Sequence, residues 1–468
     1  MSEQPSIWKR EIHLTRRGRS AEKSPVAERP LVVWPPPELE PEPEPEHGWQ
    51  TPKREDLWVV PDLEPDTIGP VTREAAPDPA PAVVRELAPL FVEPEPEPAS
   101  TPDPVGGSKA KRARGVKSTK IVGLRIGSSQ LSAALVSNHG SAELLRLASA
   151  PLQRGIVTAG EVRDPEALAK ALKRFFAQNK LPRRGVRLGV ATNRIGVRVI
   201  DVPVAEDPKL LANAIRFRAH EVVPIPLAEA VLDHALLDEI EGDDGERLHR
   251  VLLVFAHREL VDGYLDACKR AGVKLLGIDF DAFALLRALS GPPVEPNGRQ
   301  GALVAVAIGH ERTIFAVSDG SVCDFARVLD WGGASLDAAL VRALNLEPER
   351  AEQVRKLVPL TGASEAGGLS PLELEAARAA ICSELQVLAR ELLSSLQFYQ
   401  SRPGSLDIGE VLLTGGTSQL AGIETELGRQ LGVTVRIGDP LRSVTTGKLK
   451  WPADAASLGI AIGLGIEG

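Results

Sequence analysis

Three short glycine turns, far apart in the chain, most constrain how this sequence can fold. Each follows a run of β-branched and aliphatic residues that is typical of a buried strand: IVGLRIGSSQ from Ile121, ALVAVAIGHERT from Ala302, and EVLLTGGTSQ from Glu410. Glycine turns let backbone amides approach phosphate oxygens closely, and each turn carries small hydroxyl or other polar residues. The order of these segments predicts one phosphate-binding cleft that is assembled from distant parts of the chain.

Around these turns, strand pairs and helices alternate twice in a similar order. The chain has 468 residues, which is enough for two or three folding units. The pattern begins near Lys120 and restarts after the sequence PVEPNG at 293–298. This repetition predicts two related α/β halves rather than one large sheet.

The first 116 residues differ in composition from the rest of the chain. Before Val105 lie 22 of the 38 prolines and four of the six tryptophans, together with the runs PEPEPE and EPEPEP. Alternating proline and glutamate removes backbone donors and repels itself, so we predict a disordered, acidic tail. The net charge of −8 belongs largely to this tail and gives no support for nucleic-acid binding. Apolar islands such as SIWKREIHL and DLWVV are hypothesised to be docking motifs within it.

Other features of the sequence limit the cellular context. The basic stretch KAKRARGVKSTK, at 109–120, is either a solvated linker or a contact for acidic lipid. Cys268, Cys323 and Cys382 lack metal-ligand spacing and fit a reducing compartment. We find in the sequence neither the features of a signal peptide nor an apolar run long enough to span a bilayer. We therefore expect a cytoplasmic protein that reaches the inner face of the plasma membrane only through a partner.

Five blocks of sequence, in order, carry a resemblance to a known family. They are VGLRIGSSQLSAALV, AIRFRAHEVVPIPLAEAVLDH, VLLVFAHRELVDGYLDACKRAGVKLLGIDFDAFALLRAL, WGGASLDAAL with RAEQVRKL, and LLTGGTSQLAGIETELGRQLGVTVRIGDPL. Over about 117–468 the sequence resembles the PilM family of type IV pilus assembly proteins, which are actin-like and related to FtsA. A single GG or IGSS sequence would be weak evidence for this family, whereas five blocks in the family's order are strong evidence for it.

The resemblance implies an α/β, actin-like fold of two lobes, duplicated in the ribonuclease-H-like manner, around a nucleotide cleft. It assigns 117–183 to the first lobe, 184–290 to an inserted small α/β subdomain, and 299–468 to the second lobe with a C-terminal return. The disordered tail, 1–116, lies outside the resemblance.

The resemblance also implies which residues surround a bound nucleotide, with ATP as the expected cofactor. The set is Gly127, Ser128, Ser129 and Gln130 in the first turn, Gly309 in the second, Gly332 and Gly333 near the phosphates, Gly415, Gly416 and Thr417 in the third turn, and Glu352, Arg355 and Glu391 on helices beside the nucleoside.

The sequence departs from the family pattern at two of its acidic positions. An aspartate is expected two residues before each hairpin glycine, but Arg125 and Ala307 stand there. Magnesium requires carboxylate oxygen, so we expect no metal site and little or no hydrolysis of nucleotide. Arg125 either contacts phosphate directly, or it points to solvent or pairs with a nearby carboxylate such as Glu311.

Three further polar residues near these turns have simple interpretations. His310 follows the second glycine, and we interpret it as a hydrogen-bonded loop residue rather than a general acid. Asp279 and Asp281, in the sequence GIDFD, resemble a catalytic carboxylate pair, but aspartates that close a strand before a helix are more often caps. We therefore predict that both cap the following helix.

The resemblance implies a protein partner, a PilN-like protein of the inner membrane, with PilO as a further component. Its cytoplasmic peptide is expected to dock in a groove beside the inserted subdomain. The candidate contacts are Val222, Val223, Pro224, Ile225 and Pro226, because two prolines fix an extended backbone. Ordinary core packing is the alternative for these residues.

Two functions compete on this sequence. The first is a scaffold of type IV pilus or related secretion assembly, with self-association as a further possibility and with nucleotide either structural or lost. The second is an active actin-like ATPase or a sugar-kinase-type phosphotransferase. The missing acidic pair favours the scaffold. The ending GIAIGLGIEG also predicts no amphipathic membrane anchor of the FtsA type.

Overall fold

A computed structural model describes residues 119–467, with gaps at 206, 243–244, 291–300, 321, 363–365, 367, 403 and 448–454. The predicted tail, its apolar islands and almost all of the basic stretch lie outside the described residues. Within the described part of the chain, every helix is too short or too polar to cross a membrane.

The first half of the described chain contains ten strands and four helices. In chain order they are β1 (Thr119–Ile126), β2 (Gln130–His139), β3 (Ser141–Pro151), β4 (Val157–Thr158), β5 (Glu161–Val162), α1 (Pro165–Gln178), β6 (Arg184–Val190), β7 (Ile195–Pro203), α2 (Pro208–Val222), β8 (Ala230–Glu241), β9 (Arg247–His257), α3 (Arg258–Ala271), β10 (Lys274–Phe280) and α4 (Asp281–Leu289).

The second half repeats the alternation with fewer strands. Its elements are β11 (Leu303–Ile308), β12 (Thr313–Ser318), β13 (Cys323–Leu329), α5 (Gly333–Leu344), α6 (Pro348–Leu357), α7 (Pro371–Gln400), β14 (Glu410–Thr414), α8 (Ile423–Leu431), β15 (Thr434–Ile437) and α9 (Gly459–Gly465).

Two five-stranded sheets share one topology. Their strand orders are β10-β6-β1-β2-β3 and β13-β12-β11-β14-β15. In each, three strands form an antiparallel meander, and two strands that follow helices add in parallel beside the first strand of the meander. The predicted duplication of an α/β unit is therefore confirmed. Each glycine turn identified in the sequence follows a central strand of one of these sheets, β1, β11 or β14.

A third sheet, of three strands in the order β7-β9-β8, lies between β6 and α3 in the chain. One of its faces packs against α2 through a small apolar core that includes Val202, Ile215, Ala219 and Phe255. The separate sheet spans 195–257, which is narrower than the predicted subdomain, 184–290. The reason is that β6 and β10 pair in parallel with each other and join the first five-stranded sheet through β1.

Local sequence signals explain where several helices begin and end. Asp164 caps α1, since its side chain accepts a hydrogen bond from the amide of Ala167 at 2.9 Å. Ser370 and Glu373 form a capping box at the start of α7. At the end of α3, Gly272 has a left-handed φ of 70°, which a side chain would disfavour. Both boundaries lie at residue types that favour them, an aspartate before a proline at the start of α1 and a glycine after α3.

The short helix α9 returns to the first sheet and packs on it closely. A Cβ atom at Gly463 would lie 1.8 Å from the carbonyl oxygen of Ala284 in α4, and one at Gly123 in β1 would lie 2.1 Å from the carbonyl oxygen of Ala461. Gly463 and Gly123 are therefore required by this backbone approach, which fixes the C-terminal segment against β1 and α4.

Candidate functional site

The first two glycine turns have the hairpin geometry that the sequence predicts. The amide of Gly127 donates to the carbonyl of Gln130 at 2.9 Å and closes the turn between β1 and β2, which contains Ser128 and Ser129. The amide of Gly309 donates to the carbonyl of Arg312 at 2.9 Å and closes the corresponding turn between β11 and β12. The two turns are thus equivalent in the duplicated halves.

The predicted phosphate-site residues of the second half meet at Gly309. Its carbonyl accepts hydrogen bonds from the amide of Gly333 at 3.0 Å and from the Oγ1 of Thr417 at 2.9 Å. A Cβ atom at Gly332 would lie 2.4 Å from the carbonyl oxygen of His310, so this glycine allows the two segments to touch. Gly415 precedes Thr417 and completes the third turn with Gly416. The structure therefore brings these segments of the predicted cleft together.

Two predicted residues on α6 are engaged by protein groups. The Nε of Arg355 lies 2.6 Å from Asp337 Oδ1 in a buried ion pair next to Gly333. Glu352 accepts from Lys356 at 2.7 Å and from Arg154 at 2.8 Å. The hydrogen bond from Lys356 lowers the pKa of Glu352. Asp337 lies within the block WGGASLDAAL, but the sequence alone provided no reason to assign it a role.

Glu391, the third residue predicted beside the nucleoside, has a different setting. Its carboxylate lies 3.0 Å from the guanidinium of Arg327 on β13. Arg327 also donates to Ser395 at 3.1 Å, one helical turn after Glu391 on α7. Glu391 is therefore paired at the β13 edge of the second sheet.

Arg125 forms an ion pair with a carboxylate of the first lobe, but the partner is not Glu311. Its Nε lies 3.1 Å from Oδ2 of Asp281, whose side chain is 3% exposed. Glu311 instead accepts from the backbone amide of Ala159 at 2.8 Å. The guanidinium of Arg125 also reaches the second turn, because its Nη2 lies 3.5 Å from where a Cβ atom of Gly309 would be.

The prediction that Asp279 and Asp281 cap the following helix is wrong. The residue at the cap position of α4 is Phe280, and no side chain caps that helix. Asp279 pairs with Arg287 and Asp281 pairs with Arg125. A guanidinium offers a buried carboxylate both an opposite charge and hydrogen-bond donors. Both aspartates therefore form ion pairs with arginines instead of accepting hydrogen bonds from the backbone amides of α4.

Asp281, at the start of α4, is a buried carboxylate that is closely surrounded by protein groups. Burial raises its pKa, and the charge and hydrogen bond of Arg125 oppose that change. Among the described residues, its Oδ1 has no hydrogen-bond partner. That oxygen lies 2.1 Å from the position of a Cβ atom at Gly189, so glycine is needed in β6 for the carboxylate to fit.

The residues at this point do not fit a magnesium-bound phosphate. The gap lined by Arg125, Ala307, Gly309, Thr414 and Gly415, among others, is too narrow to admit a water molecule. Ala307 is 1% exposed and offers only a methyl group. Arg125 therefore places a positive charge at this gap, whereas a magnesium ion would need negatively charged oxygen ligands there.

Among the described residues, hydrogen bonds that join the segments on either side of the cleft include the following three. Arg154 reaches Glu352 at 2.8 Å, the amide of Ala159 reaches Glu311 at 2.8 Å, and Asn193 reaches Asp330 at 3.1 Å. Each links a segment of the first half with one of the second half. The first and second halves are therefore held together by direct contacts.

His310 behaves as a structural loop residue in this arrangement. Its carbonyl accepts from the amide of Ala334 at 2.7 Å, at the start of α5. Burial lowers the pKa of its imidazole, and the charge of Asp337 opposes that change. The imidazole is therefore biased toward the neutral form.

The predicted partner segment lies at the end of α2. Val223 is buried, and Val222 and Ile225 pack against the core of the three-stranded sheet, whereas Pro224 and Pro226 are exposed. On the outer face of α2, Phe217 is 67% exposed. Core packing thus accounts for the aliphatic side chains, and the prolines remain accessible.

Two five-stranded sheets of one topology, with glycine turns meeting between them, define this chain as an actin-like protein. The sequence profile of the family described as type IV pilus assembly protein PilM matches residues 123–468, and the chain belongs to that family.

Similar proteins agree with this assignment. A solved PilM-PilN type IV pilus biogenesis complex is 26% identical, with a TM-score of 0.61 over 74% of this chain and 97% of that one. The cell division protein FtsA of Escherichia coli K12 is 26% identical over 360 residues, which cover 69% of this chain and 84% of FtsA. FtsA of Shigella flexneri matches at the same identity and covers 80% of that protein. The resemblance seen in the sequence is confirmed.

Proposed function

We propose that this chain is a cytoplasmic scaffold of type IV pilus assembly that acts by binding a protein partner rather than by turning over nucleotide. The observation that carries this proposal is the ion pair between Arg125 and Asp281. It places a fixed cation of the protein at the point where the family pattern has a metal-holding carboxylate. The assignment to pilus assembly follows from the family.

The chemistry of phosphoryl transfer supports the first part of the proposal. That reaction depends on neutralising phosphate charge with a metal ion and on positioning the attacking group. Here Ala307 supplies no oxygen, Arg125 repels a metal ion, and Asp281 is engaged by Arg125. A nucleotide in this cleft would also have to widen the gap beside Gly309. We propose that ATP is bound statically or not at all, and that magnesium has no role.

The partner is proposed from the solved relative, which is a complex of PilM with PilN. We propose that a PilN-like inner-membrane protein binds this chain through a cytoplasmic peptide and so holds it at the inner face of the membrane. PilO and further copies of the chain are proposed as additional components. The exposed prolines Pro224 and Pro226, with Phe217 and Leu210 on the outer face of α2, offer apolar surface for that contact.

Two measurements on the full chain test this function. The first is phosphate release from ATP with and without magnesium, where we expect no release above a protein-free control. The second is calorimetric titration with a synthetic peptide that carries the cytoplasmic segment of a PilN-like protein. We expect binding that Phe217→Ala weakens about tenfold, while Leu372→Ala, which removes an even more exposed side chain on α7, has no effect.

Different experimental results would contradict the different parts of this proposed function. Steady magnesium-dependent release of phosphate would replace the scaffold with an actin-like ATPase. Absence of heat with the peptide at millimolar concentration would remove the PilN-like partner. Equal loss in both alanine variants would move the contact away from α2.

A further inference from the structure

A second surface, which the proposed function does not use, is an open groove of about 580 Å³. Its walls are residues 197–199 of β7, residues 324–327 of β13, and the face of α7 that carries Phe398. The hydrogen bond between Asn193, just before β7, and Asp330, just after β13, joins the two strands at one end. The groove therefore runs between two strands of different sheets.

Both strands of the groove are the edges of their sheets. Within the described residues, β7 pairs only with β9, and β13 pairs only with β12. An edge strand presents peptide groups that another extended chain can pair with. The Nη1 of Arg198 donates a hydrogen bond to the carbonyl oxygen of Val197 at 2.9 Å. The Nη1 of Arg402 donates to the carbonyl oxygen of Asp324 at 2.7 Å. Arginine side chains thus occupy positions that a backbone donor of an added strand would take.

The groove carries an excess of positive charge. Arg198, Arg327 and Arg402 line it together with one acidic residue, Asp324. Arg327 is already paired with Glu391 at 3.0 Å. Arg198 is exposed, lies 5.8 Å above the ring of Phe255, and has no carboxylate partner within the described ranges. A carboxylate that entered the groove would find this guanidinium available.

The floor of the groove is aromatic and accessible. Phe398 is 57% exposed, and its ring centroid lies 5.4 Å from that of Phe325. A large apolar side chain left in water next to a half-buried aromatic ring favours burial by a partner side chain. The same groove therefore offers backbone edges, unpaired cationic charge and an apolar contact.

We propose that this groove is a second docking site, for an extended segment of a partner protein in which carboxylates alternate with aliphatic or aromatic residues. The segment adds to the edge of β7 in the manner of β-strand addition. Its carboxylates draw the guanidinium of Arg198 away from the carbonyl of Val197, which then accepts from a backbone amide of the segment. Alternate side chains lie on Phe398 and Phe325, because successive residues of a strand point to opposite faces.

The experiment uses the full chain and two labelled heptapeptide probes, EVEFEVE and its lysine counterpart KVKFKVK, in fluorescence anisotropy titrations. We expect the acidic probe to bind and the basic probe to bind at least tenfold more weakly. Arg198→Glu is expected to weaken the acidic probe about tenfold, and Phe398→Ala to do the same. Hydrogen exchange is expected to show added protection at the amides of β7 when the acidic probe is bound.

Matched controls are available for both variants. Arg216→Glu makes the same change of charge on the outer face of α2, and Leu372→Ala removes an exposed apolar side chain that is 78% accessible. Both controls are expected to bind the acidic probe like the unaltered chain. All four substituted side chains are exposed, and a melting curve of each variant checks that it folds.

Four results would overturn the proposal. They are no binding of the acidic probe at millimolar concentration, equal binding of the basic probe, equal effects of Arg198→Glu and Arg216→Glu, and sedimentation showing that Arg198→Glu or Phe398→Ala dissociates an oligomer of the chain. The last result would assign the groove to a contact between copies. Because the probes are not the PilN-like peptide, these outcomes are independent of the proposed function.

Discussion

The cleft between the two five-stranded sheets and the groove between β7 and β13 contain similar groups but use them differently. In the cleft, Arg125 and Arg355 are paired with the buried carboxylates Asp281 and Asp337. In the groove, Arg198 and Arg402 donate to the backbone carbonyls of Val197 and Asp324, and Phe398 remains exposed. In the cleft these two arginines are paired with carboxylates of the same chain, whereas the groove retains groups that an external chain can contact. Under the proposals made above, the cleft stabilises the fold and recognition lies on the inserted sheet and its neighbours.

The largest effect is expected for Arg125→Met. Removing one partner of a buried ion pair leaves Asp281 uncompensated, which costs about 3 kcal/mol of unfolding free energy. Denaturant titration of the full chain measures this change. The double variant Arg125→Met with Asp281→Leu is expected to recover much of the loss, since it also removes the buried charge. A loss below that of Arg154→Met, which removes a half-exposed partner of Glu352, would contradict the structural role of the pair.

The next effect is expected for Gly333→Ala. The added Cβ atom would lie 2.6 Å from the Oγ1 of Thr417 and 3.2 Å from the Cζ of Arg355, so both must move. Overpacking of this kind costs about 2 kcal/mol. Gly416→Ala is the control, because a Cβ atom there would have no neighbour within 4 Å. Equal stability of the two variants would show that the turns do not pack as described.

The groove is expected to contribute little to stability. Phe398→Ala and Arg198→Ala alter exposed side chains and are expected to change the unfolding free energy by no more than about 0.5 kcal/mol each. The same denaturant titration measures both. A loss comparable with that of Arg125→Met would mean that the groove is part of the core and would remove the contrast between the two regions.

The smallest effect is a dependence on pH through His310. Burial lowers the pKa of this imidazole in the folded chain below its ordinary value of 6.5, so below that pH the unfolded chain takes up a proton that the folded chain resists. Stability is therefore full above about pH 6.5 and decreases as the pH falls through the window below it. Melting temperatures of the unaltered chain and of His310→Gln are expected to converge as the pH falls from about 7.5 to about 5.5. Parallel curves would contradict the burial of this side chain.

The sequence predicted the framework well because its signals are local. Glycine turns after aliphatic runs located β1, β11 and β14, and the alternation of elements predicted the duplication. The cap at Asp164 and the stop at Gly272 depend on residues within a few positions of each other. The chain's membership of a family also follows from blocks that are contiguous in sequence.

The polar pairings were not predictable from local pattern. Arg125 and Asp281 are 156 residues apart. Their contact depends on β6 and β10, which pair beside β1 in the first sheet and so bring the start of α4 close to β1. The capping interpretation of Asp281 failed because a distant guanidinium competes with the nearby amides of α4. The groove was missed for the same reason, since β7 and β13 are edges of different sheets and only the folded chain places them side by side.

The central proposal is that Arg125 replaces a metal-holding carboxylate of the family pattern, so that the cleft holds no metal ion. The most direct test is electron paramagnetic resonance of manganese, which replaces magnesium in such sites, titrated into the full chain with ATP. The account predicts that the spectrum remains that of manganese bound to free ATP, with no additional protein-bound species. A saturable protein-bound manganese signal that requires ATP and reaches one ion per chain would contradict it.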